Sequence, residues 1–160
     1  MNSKNILFKN FKANIKTSSV KKILTKLLNE DNKIIHSLNR NYSDSYTKKS
    51  LSKYKNLKNV RVIGIGGSSL GTKAIYSFLK DKIKKKFTFF DNLQANIIKD
   101  NKKHLNLIVS KSGNTLETIV NSNIYINKLD KNIFITENKK NYLHILANKL
   151  KSEIVHHNNY

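Results

Sequence analysis

From Val60 onward, short apolar runs alternate with segments whose apolar residues recur every three or four positions. Val60-Arg-Val-Ile-Gly-Ile65, Phe87-Thr-Phe-Phe90, Leu105-Asn-Leu-Ile-Val109 and Asn132-Ile-Phe-Ile-Thr136 predict four strands, and Glu153-Ile-Val155 a fifth. Between them, Leu70, Ala74, Ile75, Phe78 and Leu79 give Ser68 to Lys82 a helical spacing. A short helix is expected around Ala95 to Asp100, another through Leu116, Ile119, Val120, Ile124 and Ile126, and a last one from Tyr142 to Leu150. Strands alternating with helices predict an α/β fold, a three-layer αβα sandwich whose mostly parallel sheet is covered on both faces. In such sheets ligands bind beyond the carboxyl ends of the strands.

The first 58 residues read differently, as a polar, helical segment ahead of that domain, which then runs from residue 59 to 160. Ser18-Ser19 are placed to cap a helix through Val20, Ile23, Leu24, Leu27 and Leu28, which form one apolar stripe. Ile34, Ile35 and Leu38 extend it or begin a second helix after Glu30-Asp31-Asn32, and Tyr42 to Asn59 carries a weaker pattern. No catalytic constellation falls here, so the expected role is packing against the α/β domain. Neither an internal repeat nor a low-complexity linker interrupts the chain.

Composition narrows the function. A chain of 160 residues, 38% apolar and 26% charged, suffices for one cored domain and not comfortably for two. No apolar run approaches the roughly 18 residues of a membrane span, and Met1-Asn-Ser-Lys-Asn leads into no signal-peptide h-region, so a cytoplasmic soluble domain is expected. The lack of cysteine excludes disulfides, Cys-ligated zinc and thiol catalysis. The net charge of +21 invites a nucleic-acid partner, but 29 of the 31 basic residues are lysine and only Arg40 and Arg61 are arginine. Surfaces that fork onto phosphates or guanine edges lean on arginine. The 24 asparagines, 19 isoleucines and absent prolines point to A/T-rich coding as the source of the lysines. The charge argues for anionic ligands at long range, not for nucleic acid.

Against that background the five glycines are informative: Gly64, Gly66, Gly67 and Gly71 cluster, and Gly113 stands alone. Loops elsewhere use Asn, Asp, Ser and Lys, so these positions are expected to need positive φ or close backbone approach. Gly64-Ile-Gly-Gly-Ser-Ser-Leu-Gly71-Thr-Lys73 joins a strand to a helix, where backbone N–H groups can face an anion. It fits neither familiar phosphate loop. The dinucleotide fingerprint wants glycine where Ser69 stands, although Asp91 could serve as the ribose acid, and the Walker loop wants lysine where Thr72 stands. The bland alternative is a tight turn with Ser68 or Ser69 as a plain cap. The second turn, Ser110-Lys-Ser-Gly-Asn-Thr-Leu-Glu-Thr118, places the hydroxyls of Ser110, Ser112 and Thr115 at a helix start, a neutral nest suited to phosphate, with Lys111 adding charge. Its bland alternative is a capping box in which Glu117 reaches back to Asn114. A dinucleotide domain has no use for a Ser/Thr cup after its third strand, whereas a phosphosugar site does.

Together these motifs resemble the glucose-6-phosphate isomerase family, whose first sugar-isomerase (SIS) domain carries G-I-G-G-S-x-L-G and S-K-[ST]-x-T-T-x-E-T; the chain departs at Asn114, where the family has threonine. The resemblance covers roughly Val60 to Tyr160. It implies a flavodoxin-like SIS domain and a hexose 6-phosphate substrate. By the same resemblance Ser110, Ser112, Thr115 and the Lys111 amide bind the 6-phosphate, and Gly67 and Ser68 approach the sugar. No cofactor and no metal are implied, and a homodimer is expected of the full-length enzyme.

Aldose–ketose isomerisation needs a carboxylate base at the C1–C2 bond, an acid for ring opening and positive charge for the enediolate. The family supplies these from later motifs, beginning with G-G-R-[FY]-S, none of which occurs here. Glu30, Glu117, Glu137 and Glu153 stand in no site context, and His156-His157 read as a strand-end feature rather than a metal site. The chain is therefore expected to be an N-terminal portion that binds fructose 6-phosphate weakly and does not turn it over. The competing readings are a stand-alone phosphosugar-binding module, an NAD(P) domain and a nucleic-acid binder.

Overall fold

The computed structural model describes residues 17–93, 100 and 102–157. They form two compact units that meet in sequence between Ser43 and Asp44. The first holds α1 (Thr17–Leu28) and α2 (Lys33–His36). Ser18 and Ser19 lie within α1, with Thr17 already helical ahead of them, so neither precedes the helix as a cap. The separate helix α2 is capped by Asn32, whose side chain accepts from the Ile34 N–H at 2.8 Å. Within this unit the α1 stripe of Val20, Ile23, Leu24, Leu27 and Leu28 stays exposed.

The second unit runs α3 (Lys48–Ser52), β1 (Asn59–Ile63), α4 (Gly67–Leu79), β2 (Lys86–Phe90), β3 (His104–Val109), α5 (Leu116–Tyr125), β4 (Lys131–Glu137), α6 (Tyr142–Lys149) and β5 (Glu153–His157). Each expected strand is present within a residue or two, and the fifth pairs fully with β4, from Ile133↔Glu153 to Glu137↔His157. All pairings are parallel and the order is β2-β1-β3-β4-β5, the doubly wound order of flavodoxin-like sheets. The helix expected around Ala95 to Asp100 lies, but for Asp100, outside the described residues. Among the described residues no helix is long and apolar enough to cross a membrane.

Strand alternation sorts the core into two layers. Val60, Leu105 and Ile133 face one side, where Tyr54, Leu51 and Leu57 from α3 and its following turn cover them. On that side Tyr76 of α4 also packs its ring 4.8 Å from Phe87. Ile63, Phe90, Ile108 and Phe134 face the other side beneath Tyr125 of α5 and Leu143 and Ala147 of α6. Completely buried side chains such as Ile63, Ile108 and Phe134 each contribute roughly 1.5–3 kcal/mol by leaving water. The apolar spacing of α4 does not mark its sheet face. Ser69 is buried while Leu70, Ile75 and Phe78 point outward, Phe78 with 83% exposure. The preceding turn fixes which side of α4 meets β2, and that side carries Ser69 and Tyr76.

At the amino ends of the strands a buried polar cluster replaces apolar packing. Arg61 donates to the Tyr125 carbonyl at 2.8 Å, to Asp130 at 3.3 Å and to Asp100 at 3.2 Å. Asp130 also accepts from the His104 and Asn127 backbone and from the Asn106 side chain. With partners on every side, the ion pair fixes the α5–β4 turn without leaving a bare buried charge.

Candidate functional site

The strand order makes β1 and β3 neighbours whose connections leave on opposite sides, β1 through α4 to β2 and β3 through α5 to β4. The crevice such a divergence opens is the expected ligand position, and both glycine-bearing turns end there. Gly64 holds the first turn against the second. It donates to the Phe90 carbonyl at 3.2 Å, and a Cβ added to it would stand 2.7 Å from the Val109 carbonyl oxygen. Only glycine allows that approach. Gly66 then caps α4 with no side-chain hydrogen bond, and Ser68 and Ser69 follow in the first turn of the helix. Ser69 is buried and donates to the Gly66 carbonyl at 3.3 Å, whereas Gly67 is exposed and Ser68 half-buried. Nothing lies within 4 Å of a Cβ at Gly67 or Gly71, so protein packing does not require glycine at those two positions. Asp91, the residue considered for a ribose, is paired with Lys73 of α4.

The second turn begins at Ser110, buried with its amide bonded to the Ile135 carbonyl at 3.0 Å. Its hydroxyl lies 2.9 Å from the Thr115 hydroxyl and accepts from the Gly113 N–H at 3.2 Å. The Ser112 hydroxyl stands 3.5 Å from that of Thr115 and accepts from the Asn114 N–H at 3.3 Å. The three hydroxyls named from the sequence thus converge on one side of the turn. Gly113 has φ +68°, and a Cβ there would fall 2.1 Å from the Asn141 side chain. Helix α5 starts behind Thr115, which makes no side-chain cap hydrogen bond, so its first amides are not taken up by that side chain. The capping box does not form: Asn114 turns away to accept from the Tyr142 N–H at 2.9 Å. An open helix start ringed by neutral hydroxyls is suited to a phosphate dianion, which gains from the amides and the helix dipole together.

Lys111 contributes its backbone more than its charge. Its carbonyl accepts from the Glu137 amide at 3.0 Å and the Thr136 hydroxyl at 3.3 Å, while its ammonium reaches out to 3.9 Å from Glu137. Glu137 is held below the ordinary carboxylate range, chiefly by its hydrogen bond from Lys139, with Lys111 and His157 adding to the effect. That carboxylate is committed to lysines and is not a free base. Glu117 sits half-buried in the first turn of α5, and Glu153 lies at the opposite end of the sheet against Tyr54 and Lys53. His156 stacks on His144 with ring centroids 6.2 Å apart, and among the described residues no three His, Asp or Glu side chains gather as a metal site. Two clefts, of about 370 and 420 Å³, open at the amino ends of the strands rather than at the crevice. Their acidic groups are already paired, Asp100 and Asp130 with Arg61 and Glu153 with Lys53.

Sequence reasoning missed the residues that brace the second turn. Asn141 is buried, caps α6 through the His144 N–H at 2.8 Å and donates to the Thr136 hydroxyl at 3.1 Å. An asparagine just before a predicted helix was the available signal for the cap. Its contact with Gly113 had no counterpart in the sequence.

Comparison with known proteins places the chain in a family. The model of the family described as "PGI: Phosphoglucose isomerase" matches residues 9–155. A glucose-6-phosphate isomerase of Borrelia garinii subsp. bavariensis is 46% identical over 90 residues, 49% of this chain and 17% of the relative. One from Methanocaldococcus jannaschii is 39% identical over 99 residues, 56% of this chain and 24% of the relative. The chain therefore spans about a sixth to a quarter of the length of these relatives. Among solved structures, hypothetical protein TT0462 from Thermus thermophilus shares the fold, with a TM-score of 0.60 at 19% identity over 88% of this chain and 40% of the other. With the family model spanning all but the two ends of the sequence, the chain belongs to the phosphoglucose isomerase family.

Proposed function

We propose that this chain supplies the phosphate-binding part of a glucose-6-phosphate isomerase, the enzyme that interconverts glucose 6-phosphate and fructose 6-phosphate. The observation that carries the reading is the hydroxyl cup of Ser110, Ser112 and Thr115 at the uncapped start of α5, next to the Gly64 turn. In this reading the cup, the Lys111 amide and the first amides of α5 hold the 6-phosphate. Gly67, with open space above it, and Ser68 face the sugar. Anchoring the phosphate fixes where C1 and C2 lie, so a base brought by other parts of the protein meets the right carbon.

The described residues around the cup offer no uncommitted carboxylate with a hydrogen-bonded setting for proton abstraction, and the chain alone is assigned binding without turnover. Calorimetric titration with fructose 6-phosphate tests the first half, with saturable binding expected and about tenfold weaker binding in Ser112→Ala. A coupled isomerase assay tests the second. Turnover by the 160 residues that disappears in Ser112→Ala would overturn the division of labour, and a flat titration would overturn the phosphate assignment.

A further inference from the structure

The phosphate cup is not held by its own strand alone. Its far half hangs on the N-terminus of α6, through two consecutive residues of the turn. The Leu143 N–H donates to the Gly113 carbonyl at 3.1 Å, and the Tyr142 N–H donates to Asn114 Oδ1 at 2.9 Å. These are orphan amides of the helix start, which Asn141 alone would leave unsatisfied, since its side chain takes only the His144 N–H. Asn114 therefore acts as a second cap for α6, supplied by the turn rather than by the helix. Beneath the turn, Asn141 fills the space that a Gly113 side chain would occupy. On its other side Asn141 binds Thr136, whose own hydroxyl holds the Lys111 carbonyl. The near half of the turn is thus tied to the end of β4 and the far half to α6.

We infer that Asn114 is a positioning residue for phosphate binding: by capping α6 it presets the curvature of the Ser110–Thr115 turn, so that the hydroxyls of Ser112 and Thr115 stand together before the ligand arrives. This inference rests on the proposed assignment of the cup to the 6-phosphate. The Asn114 side chain does not touch the anion. Its amide donates to the Ser112 hydroxyl and its carboxamide faces α6, so it acts on the ligand only through Ser112 and the turn. Without the tether the exposed far half of the turn samples other conformations, and the ordering moves from folding to binding, where it weakens affinity.

The test is a double-mutant cycle on the chain, read by calorimetric titration with fructose 6-phosphate and by thermal denaturation. Asn114→Ala removes the acceptor, and Tyr142→Pro removes the donor at the first helical position, where proline is tolerated and where Asn141 is already extended. Tyr142→Ala, which keeps the N–H, is the reference for the loss of the ring. Asn114→Ala is expected to raise the dissociation constant about tenfold, and Tyr142→Pro by a similar factor relative to Tyr142→Ala. The double variant is expected to bind no worse than either single one, because both remove the same hydrogen bond. Melting temperatures are expected to fall only a few degrees, so affinity changes at fully folded conditions. Singles that bind like the unsubstituted chain, or a double variant whose losses simply multiply, would overturn the inference while leaving the cup assignment standing. No saturable binding by the unsubstituted chain would overturn both.

Discussion

Gly64 meets backbone at the end of β3, and this yields a prediction with a sign that Gly71, seven residues on, does not share. In Gly64→Ala the new Cβ would sit 2.7 Å from the Val109 carbonyl oxygen, 3.2 Å from Ser68 Cβ and 3.4 Å from Val109 Cβ. The first distance is roughly 0.7 Å short of ordinary contact, and the atom it meets is backbone inside a parallel ladder, not the end of a flexible side chain. Relief requires the β1–α4 turn to lift away from β3. Overpacking of that kind costs about 1–3 kcal/mol, and here it also widens the crevice between the two site turns. Gly71→Ala lies four residues into α4 with nothing within 4 Å of its Cβ, so it should gain up to about 1 kcal/mol of helix propensity. Urea denaturation of both variants, with fructose 6-phosphate titration at low urea, makes the comparison. A Gly64→Ala variant within about 0.5 kcal/mol of the parent and binding normally would refute the claim that this contact locks the two turns together.

Arg61→Met leaves Asp130 buried without its cation and should cost about 3 kcal/mol in denaturant melts, with Asp130→Asn recovering part of the loss. Tyr54→Phe removes a hydroxyl that donates to Glu153 Oε2 at 2.9 Å and should cost about 1 kcal/mol near neutral pH. The pH dependence of that difference is set by two groups. Burial raises the Glu153 carboxyl, but hydrogen bonds from Lys53 and Tyr54 outweigh it and hold it below its ordinary value. Burial and the same bond hold the Tyr54 phenol above its own. The stabilisation is therefore complete between the two ordinary values, lost as pH falls through about 4 and below, and lost again as pH rises past about 10. A parent–variant gap that stays constant from pH 3 to 7 would contradict it. Ser112→Ala, at an exposed position, should leave the melting temperature within a degree or two while weakening sugar-phosphate binding about tenfold.

The sheet was legible because its strands are short apolar runs, largely buried in β1, β3 and β4, and both site turns were legible because glycine is scarce here and marks backbone constraint. The inference from scarcity held at Gly64, Gly66 and Gly113 and not at Gly67 or Gly71, where the protein leaves room for a side chain. What escaped was tertiary. Lys48–Ser52 is too short and polar to announce that the turn after it delivers Leu57 and Tyr54 to the core. The apolar spacing of α4 named an outward stripe, because helical period alone does not say which side meets the sheet. Asn114 reads as a local cap in sequence and serves a helix that begins 28 residues further along the chain. Arg61 was legible in principle, since one of two arginines in the middle of an apolar strand has to find partners when buried.

The central claim is that a sugar phosphate binds at the carboxyl ends of β1 and β3. Amide chemical-shift mapping of the 15N-labelled chain during titration with fructose 6-phosphate tests it most directly. The account predicts saturable shifts at Lys111 through Glu117 and at Gly67 and Ser68, matched in the first stretch by inorganic phosphate alone. Shifts confined to the amino ends of the strands, around Lys128, Lys131 and Lys151, or scattered over surface lysines without saturation, would contradict it.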